Sequence, residues 1–266
     1  QVLIHGRERL ELRFLGLTPA SLPLPPDQFR QDIAAIVKAP VSQLLSDNDE
    51  EGTLMLHTLP LLRADYVHRS LATMQSPDVT IPRATCGDTL RVFVSEQGIF
   101  YALLCDGMGK GRRAAQASSM CGIFLERLLK AGVEIKTALR MFNHYLLTHN
   151  HAPEEEISTT VDLFALHLYT GQACFVKSGA APSLILREGR LFRLCAHTLP
   201  IGILHAVDVQ IIPFEVTAGD HILLISDGIC DAEEGEQEAD WLSDYLSGDY
   251  PEDDNALIGA LFSKAR

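Results

Sequence analysis

The 266-residue chain has no run of 18 or more apolar residues, so no stretch of it reads as a transmembrane helix. No basic-then-apolar segment stands at its start. The first residue is Gln1, and the chain reads as a piece of a longer protein whose flanks are expected to carry any membrane anchor. Cysteine is sparse and scattered, at positions 86, 105, 121, 174, 195 and 230, with no two closer than sixteen residues. That spacing excludes a zinc finger. Thiols in apolar runs such as Leu104-Cys105 and Cys174-Phe175 read as small hydrophobes in a reducing compartment. Positive charge is in deficit, 22 Lys and Arg against 35 Asp and Glu, for a net charge of −13. Such a balance repels a phosphate backbone and excludes nucleic acid as a partner. Eleven of the carboxylates, and no Lys or Arg, fall between Asp231 and Asp254. That window reads as a solvated loop and helix face, and the rest of the chain is near neutral. There is no internal repeat and no Ser-His or Cys-His nucleophile signature.

What is present is the composition of a folded protein, 47% hydrophobic and 21% charged. Residues 9–14 alternate Leu10, Leu12 and Phe14 against Glu11 and Arg13, as a half-buried strand does. Past a break at Pro23, Pro25 and Pro26, Asp27 is placed to cap a helix with Phe29, Ile33 and Ile36 on one face. Residues 46–52 read as a polar turn, and 53–72 as two strands interrupted at Pro60. These first 62 residues form a small α/β segment without a chemical signature. Beyond them, short strands at 90–94 and 99–104 flank a Glu96-Gln97-Gly98 turn. A helix from about Gly111 carries Ala114, Ala117, Cys121, Phe124 and Leu128 as a buried stripe and stops at Gly132. A second helix, over 136–147, turns Ala138, Met141, Phe142 and Tyr145 inward. Strands follow at 161–169, 173–177, 184–187, 191–194, 207–214 and 221–225, with turns at Thr170-Gly171, Glu188-Gly189 and Gly219-Asp220. Several are apolar on both faces, which calls for a second sheet on one side and helices on the other. The expected class is α+β, two packed antiparallel sheets flanked by helices.

Three aspartates beside glycine carry the chemistry. Gly87-Asp88 opens a strand, Asp106-Gly107-Met108-Gly109 closes one, and Asp227-Gly228 closes another. Asp-Gly alone is more often a turn than a ligand, and Gly219-Asp220 is read as a turn. Asp106 and Asp227 differ in following the apolar runs Ala-Leu-Leu-Cys and Leu-Leu-Ile-Ser, expected to be central in a sheet. A carboxylate there is costly unless paired or metal-bound. Carboxylates with a backbone carbonyl are hard oxygen ligands suited to Mg²⁺ or Mn²⁺. His144, His149 and His151, near Glu154, Glu155 and Glu156, read instead as a polar loop, because Pro153 breaks any helical ligand spacing. Lys110, Arg112 and Arg113 sit at a helix start, where cations are mildly unfavourable. That mismatch makes Lys110 and Arg112 candidates for contact with a substrate phosphate.

Five segments come in the order of a known family: Cys86-Gly87-Asp88-Thr89, Cys105-Asp106-Gly107-Met108-Gly109-Lys110-Gly111, Lys177-Ser178-Gly179-Ala180-Ala181-Pro182, Leu199-Pro200-Ile201-Gly202 and Ile225-Ser226-Asp227-Gly228. Together they resemble the metal-dependent protein phosphatases (PPM family), most closely the phosphatase domain of the stage II sporulation protein E family. The resemblance covers about residues 63–266. Residues 1–62 resemble, more weakly, the regulatory segment that precedes that domain.

The resemblance implies an αββα sandwich with a two-metal centre at one end, holding Mn²⁺ or Mg²⁺. It implies that Asp106 bridges both metals, that the Gly107 carbonyl binds one, that Asp88 serves the second partly through water, and that Asp227 holds the first. Two cations about 3.5–4 Å apart generate a hydroxide for in-line attack on phosphate, so no protein nucleophile is needed. The implied activity is that of a protein-serine phosphatase, a phosphoric monoester hydrolase. Its implied substrate is a phosphorylated anti-sigma-factor antagonist, whose dephosphorylation frees a sporulation sigma factor. A homodimer, an upstream membrane anchor, a cytoplasmic location and a switching role for the two helices are implied as well. The alternative is a non-catalytic signalling module of the same fold, acting through regulated protein association. The family's last Asp, in an Asp-Asp-Met-Thr-like motif, is expected beyond Arg266. Asp253-Asp254-Asn255 reads instead as the capped start of a helix bearing Ala256, Leu257, Ala260, Leu261 and Ala265. One metal site is therefore expected to be incomplete and the last strand absent.

Overall fold

The computed structural model describes residues 1–6, 9–47, 52–70, 86–109, 111–149, 157–230, 241–248 and 250–265. Its N-terminal part is an antiparallel sheet of order β1-β2-β4-β3, with β1 (Val2–His5), β2 (Glu11–Leu15), β3 (Leu45–Asp47) and β4 (Thr53–His57). Leu12 and Phe14, two apart on β2, pack with Leu54 and Leu56 of β4 against Phe29 and Ile33 of α1 (Pro26–Val37). Three details differ from the sequence reading. Ile36 is 75% exposed, and Val37 completes the stripe. Pro25, not Asp27, stands at the helix N-cap, and Asp27 lies in the first turn against Arg30. The polar 46–52 segment contributes β3, whose backbone finds partners on β4. After Pro60, residues 61–70 form no strand, and 71–72 lie outside the described residues.

The rest is built in layers, and alternation along one strand shows why. In β6 (Ile99–Asp106), Tyr101, Leu103 and Cys105 face one core while Phe100 and Ala102 face another. The first core lies between the sheet and two helices, α2 (Arg112–Lys130) and α3 (Ile135–His149). The second lies between two sheets. One sheet has five antiparallel strands in the order β11-β8-β7-β6-β5: β5 (Asp88–Val94), β6, β7 (Val161–His167), β8 (Gln172–Ser178) and β11 (Gln210–Glu215). The other has three, in the order β10-β9-β12: β9 (Ser183–Arg187), β10 (Arg190–Leu194) and β12 (His221–Leu223). Its outer face meets α5 (Trp241–Leu246) and α6 (Asp254–Lys264) through Leu184, Leu186, Trp241 and Leu261. A short α4 (Asp227–Cys230) follows β12. The expected sandwich of antiparallel sheets flanked by helices is thus present. Among the described residues no helix is long and apolar enough to cross a membrane.

Burial within the helices is shifted from the expected stripes. In α2 the deepest residues are Ala114, Ala117, Ser118, Cys121, Gly122, Leu125 and Leu129, with Phe124 and Leu128 on the flank. In α3, Ala138, Leu139, Phe142, Asn143 and Leu146 are buried, while Met141 and Tyr145 are exposed. Glu188 and Gly189 both take positive φ, giving the tight hairpin between β9 and β10 that their sequence suggests. Asp220 accepts from Arg187 at 2.7 and 2.6 Å, so Gly219-Asp220 is a turn locked by an ion pair.

Candidate active site

The register of β5 on β6 sets Asp88 directly opposite Asp106. Like charges facing across a strand pair repel. Asp227 arrives from the other sheet. β12 ends at Leu223, and Asp227 opens α4, so it neither closes its strand nor follows a central one, since β12 lies at a sheet edge. β6 itself is second from the edge. Burial, then Asp88, then Asp227 push the Asp106 carboxyl up to about 7 from 3.8. Ser226 donates to Asp88 Oδ2 at 2.9 Å, linking the two sheets at the carboxylates themselves. Burial pushes the neighbouring Cys86 thiol up, with the charges of Asp88 and Asp106 adding to it, so the thiol stays protonated and is no ready nucleophile.

The Asp106-Gly107 backbone is held from two sides. A Cβ on Gly107 would stand 1.9 Å from the Ala114 carbonyl oxygen, so only glycine lets the start of α2 come this close. On the other side, Asp106 O accepts from Thr160 N at 2.8 Å and from Thr159 Oγ1 at 2.9 Å, and Thr160 Oγ1 accepts from Asp106 N at 3.1 Å. Thr159 exchanges backbone bonds with Ile201 at 3.1 and 2.9 Å. That loop is gripped by buried Asn143 of α3, which accepts from Gly202 N and donates to the Leu204 carbonyl, both at 2.9 Å. Sequence reasoning did not find Asn143, Thr159 or Thr160. Nor did it find Asp162, a carboxylate buried inside an apolar strand, although its isolation there was a signal.

A cleft of about 180 Å³ opens at this end of the sandwich, lined by Asp106, Asp227, Thr160, Asp162 and the 179–181 loop. Arg112 is the exposed first residue of α2, five residues past Gly107. Lys110 lies outside the described residues, as do His151 and Glu154 to Glu156. Asp253 caps α6 by accepting from Ala256 N at 2.8 Å, so this stretch is a helix start, and Asp254 in its first turn pairs with His221 at 2.8 Å. Among the described residues, no three His, Cys, Asp or Glu side chains already form a cage for a metal ion. The donor chemistry nonetheless fits a divalent cation: three carboxylates lie close enough to interact, and the groups that act most strongly on Asp106, after burial, are themselves anionic.

The family model described as stage II sporulation protein E (SpoIIE) matches residues 96–265, more than half of the chain. The chain belongs to the SpoIIE family. Asp88 lies just ahead of the matched segment. Stage II sporulation protein E of Bacillus subtilis (strain 168) is 32% identical over 150 residues, which are 56% of this chain and 18% of that protein. The Priestia megaterium SpoIIE is 30% identical over 143 residues, 54% of this chain and 24% of that protein. The chain therefore spans less than a quarter of either relative. A solved structure of the PP2C phosphatase domain and a fragment of the regulatory domain of Bacillus subtilis SpoIIE superposes with a TM-score of 0.74 at 21% identity, covering 100% of this chain and 77% of that one. A second, of the SpoIIE phosphatase domain from the same organism, superposes with a TM-score of 0.51 at 26% identity, covering 68% and 77%. The fold is that of the PP2C phosphatase domains.

Proposed function

We propose that this chain carries the catalytic domain of a Mn²⁺- or Mg²⁺-dependent protein-serine phosphatase. The observation that carries the reading is the facing pair Asp88 and Asp106 with Asp227 converging on it, an excess of carboxylate that raises Asp106 to about 7. Membership of the SpoIIE family and the PP2C fold support it. In this reading Asp88, Asp106, Asp227 and the Gly107 carbonyl would hold the metal, with Asp106 at the centre of the set. Bound metal would supply a hydroxide at neutral pH and offset the charge of the phosphate. Thr159, Thr160 and Gly107 hold the Asp106 backbone in place. Ser226 orients Asp88. Arg112, exposed at the start of α2, is proposed to attract the substrate phosphate.

The substrate is a phosphoserine protein, proposed by family resemblance to be a phosphorylated anti-sigma-factor antagonist whose release activates a sporulation sigma factor. Residues 1–62, with their own sheet and core, are proposed to regulate the catalytic part. Self-association and a membrane anchor outside this chain belong to the same proposal. The test is phosphate release from a phosphoserine protein with and without Mn²⁺, in wild type and Asp106→Asn. Release that requires Mn²⁺ and vanishes in the variant supports the reading. No release in either would leave a non-catalytic module acting by association.

A further inference from the structure

The layer between the two sheets is apolar, built from Phe100, Phe164, Leu166, Phe175 and Ile185. Its end beneath the cleft is different. Lys177 of β8 is 0% exposed and stands opposite Asp162 of β7 in the ladder, with Nζ 2.8 Å from Asp162 Oδ1. Lys177 also donates to Ser183 Oγ at 2.7 Å, and Ser183 donates to Asp162 Oδ2 at 2.7 Å. The three groups close a ring. Asp162 and Lys177 belong to the five-stranded sheet and Ser183 opens β9 of the three-stranded one, so the ring ties one sheet to the other.

A buried ion pair is a poor way to hold two sheets together. Apolar residues of similar volume often do as well or better, because the charges lose their hydration. What such a ring supplies is a fixed geometry, because Ser183 is held from both sides, accepting from Lys177 and donating to Asp162, beside the Lys177–Asp162 ion pair. Its place gives that geometry a use. Asp162 and the 179–181 loop, which joins the end of β8 to Ser183, line the same cleft as Asp106 and Asp227. Asp88 and Asp106 are fixed to each other by the β5–β6 ladder. Asp227 comes from the opposite sheet, past Leu223, and Leu223 pairs with Leu184, the neighbour of Ser183.

We propose that the Asp162–Lys177–Ser183 ring is a positioning device that fixes the gap between the sheet carrying Asp88 and Asp106 and the one delivering Asp227. The inference rests on the metal-centre reading above. In this proposal Lys177, Asp162 and Ser183 act by positioning Asp88, Asp106 and Asp227, not as ligands themselves.

Ser183→Ala removes the cross-sheet member and leaves the Asp162–Lys177 pair in its own sheet. The triple variant Asp162→Leu/Lys177→Met/Ser183→Ala replaces the ring by apolar volume and is expected to keep its melting temperature. Mn²⁺ is titrated by calorimetry into wild type and both variants, each melted first in EDTA to establish folding. The expected result is Mn²⁺ affinity roughly tenfold weaker in both, including the triple variant of unchanged stability, as loss of a hydrogen bond to a charged group allows. Should Ser183→Ala fail to fold, Ser183→Cys, with similar volume and a weaker donor, carries the same measurement. Wild-type Mn²⁺ affinity in the folded variants overturns the positioning role and leaves the metal centre standing. Absence of Mn²⁺ binding in the wild type itself overturns the metal centre, and the positioning role falls with it.

Discussion

Replacing Asp106 by Asn is expected to stabilise the metal-free protein and to abolish its response to Mn²⁺. Burial, Asp88 and Asp227 raise the Asp106 carboxyl to about 7, against 3.8 for an ordinary Asp. The folded state therefore binds a proton that the unfolded chain has released. Stability drawn from this group is intact below about pH 3.8 and is lost as the pH rises to about 7. A shift of this size corresponds to ~4 kcal/mol at about 1.4 kcal/mol per unit. The Asp106 carboxyl is partly buried and faces the cleft, where solvent screens the repulsion, so about 1–2 kcal/mol is the expected share. For a chain of this size that is a rise of about 2–8 °C in melting temperature for Asp106→Asn above neutral pH. Circular dichroism melts in EDTA at about pH 5 and about pH 8 would read it, with the gap wider at the higher pH. Repeating the melts with Mn²⁺ should raise the wild type and leave the variant where it was, because only a species that binds the ion is stabilised by it. A variant less stable than wild type at the higher pH in EDTA, or an equal gap at both pH values, would refute the reasoning.

Gly107→Ala should cost about 3 kcal/mol or more in urea denaturation, because its Cβ would lie 1.9 Å from the Ala114 carbonyl oxygen and the start of α2 would have to move. Asn143→Leu keeps the volume but strands Gly202 N and the Leu204 carbonyl; a loss of about 2–4 kcal/mol is expected by denaturation, with weaker Mn²⁺ binding by calorimetry through Thr159. Asp253→Ala should cost about 1 kcal/mol as a lost helix cap and leave Mn²⁺ affinity unchanged, whereas a drop in affinity would make Asp253 a ligand after all.

How much of this could be read in the sequence depends on how far each contact reaches along the chain. β6 was legible because it is a short, continuous apolar run after a turn, and Asp106 because it ends that run. The helix stripes were legible only as to existence. A spacing of three and four is compatible with more than one face of α3, and the layer beneath chose Leu139 and Leu146 over Met141 and Tyr145. β3 escaped notice because its polar backbone becomes a strand only by pairing with β4. The ring of Asp162, Lys177 and Ser183 is the limiting case. Each member was visible as a polar residue at a strand end or inside an apolar run. Their meeting depends on a ladder register between β7 and β8 and on β9 leaving for the other sheet, and neither is written in local periodicity. The same holds for the site as a whole. Asp88 and Asp106 are joined by one hairpin, but Asp227 reaches them only once two sheets have packed, so the geometry of the carboxylates depends on the spacing of that packing. Groups that pin the spacing therefore belong with the site, however far they stand from the reacting atoms.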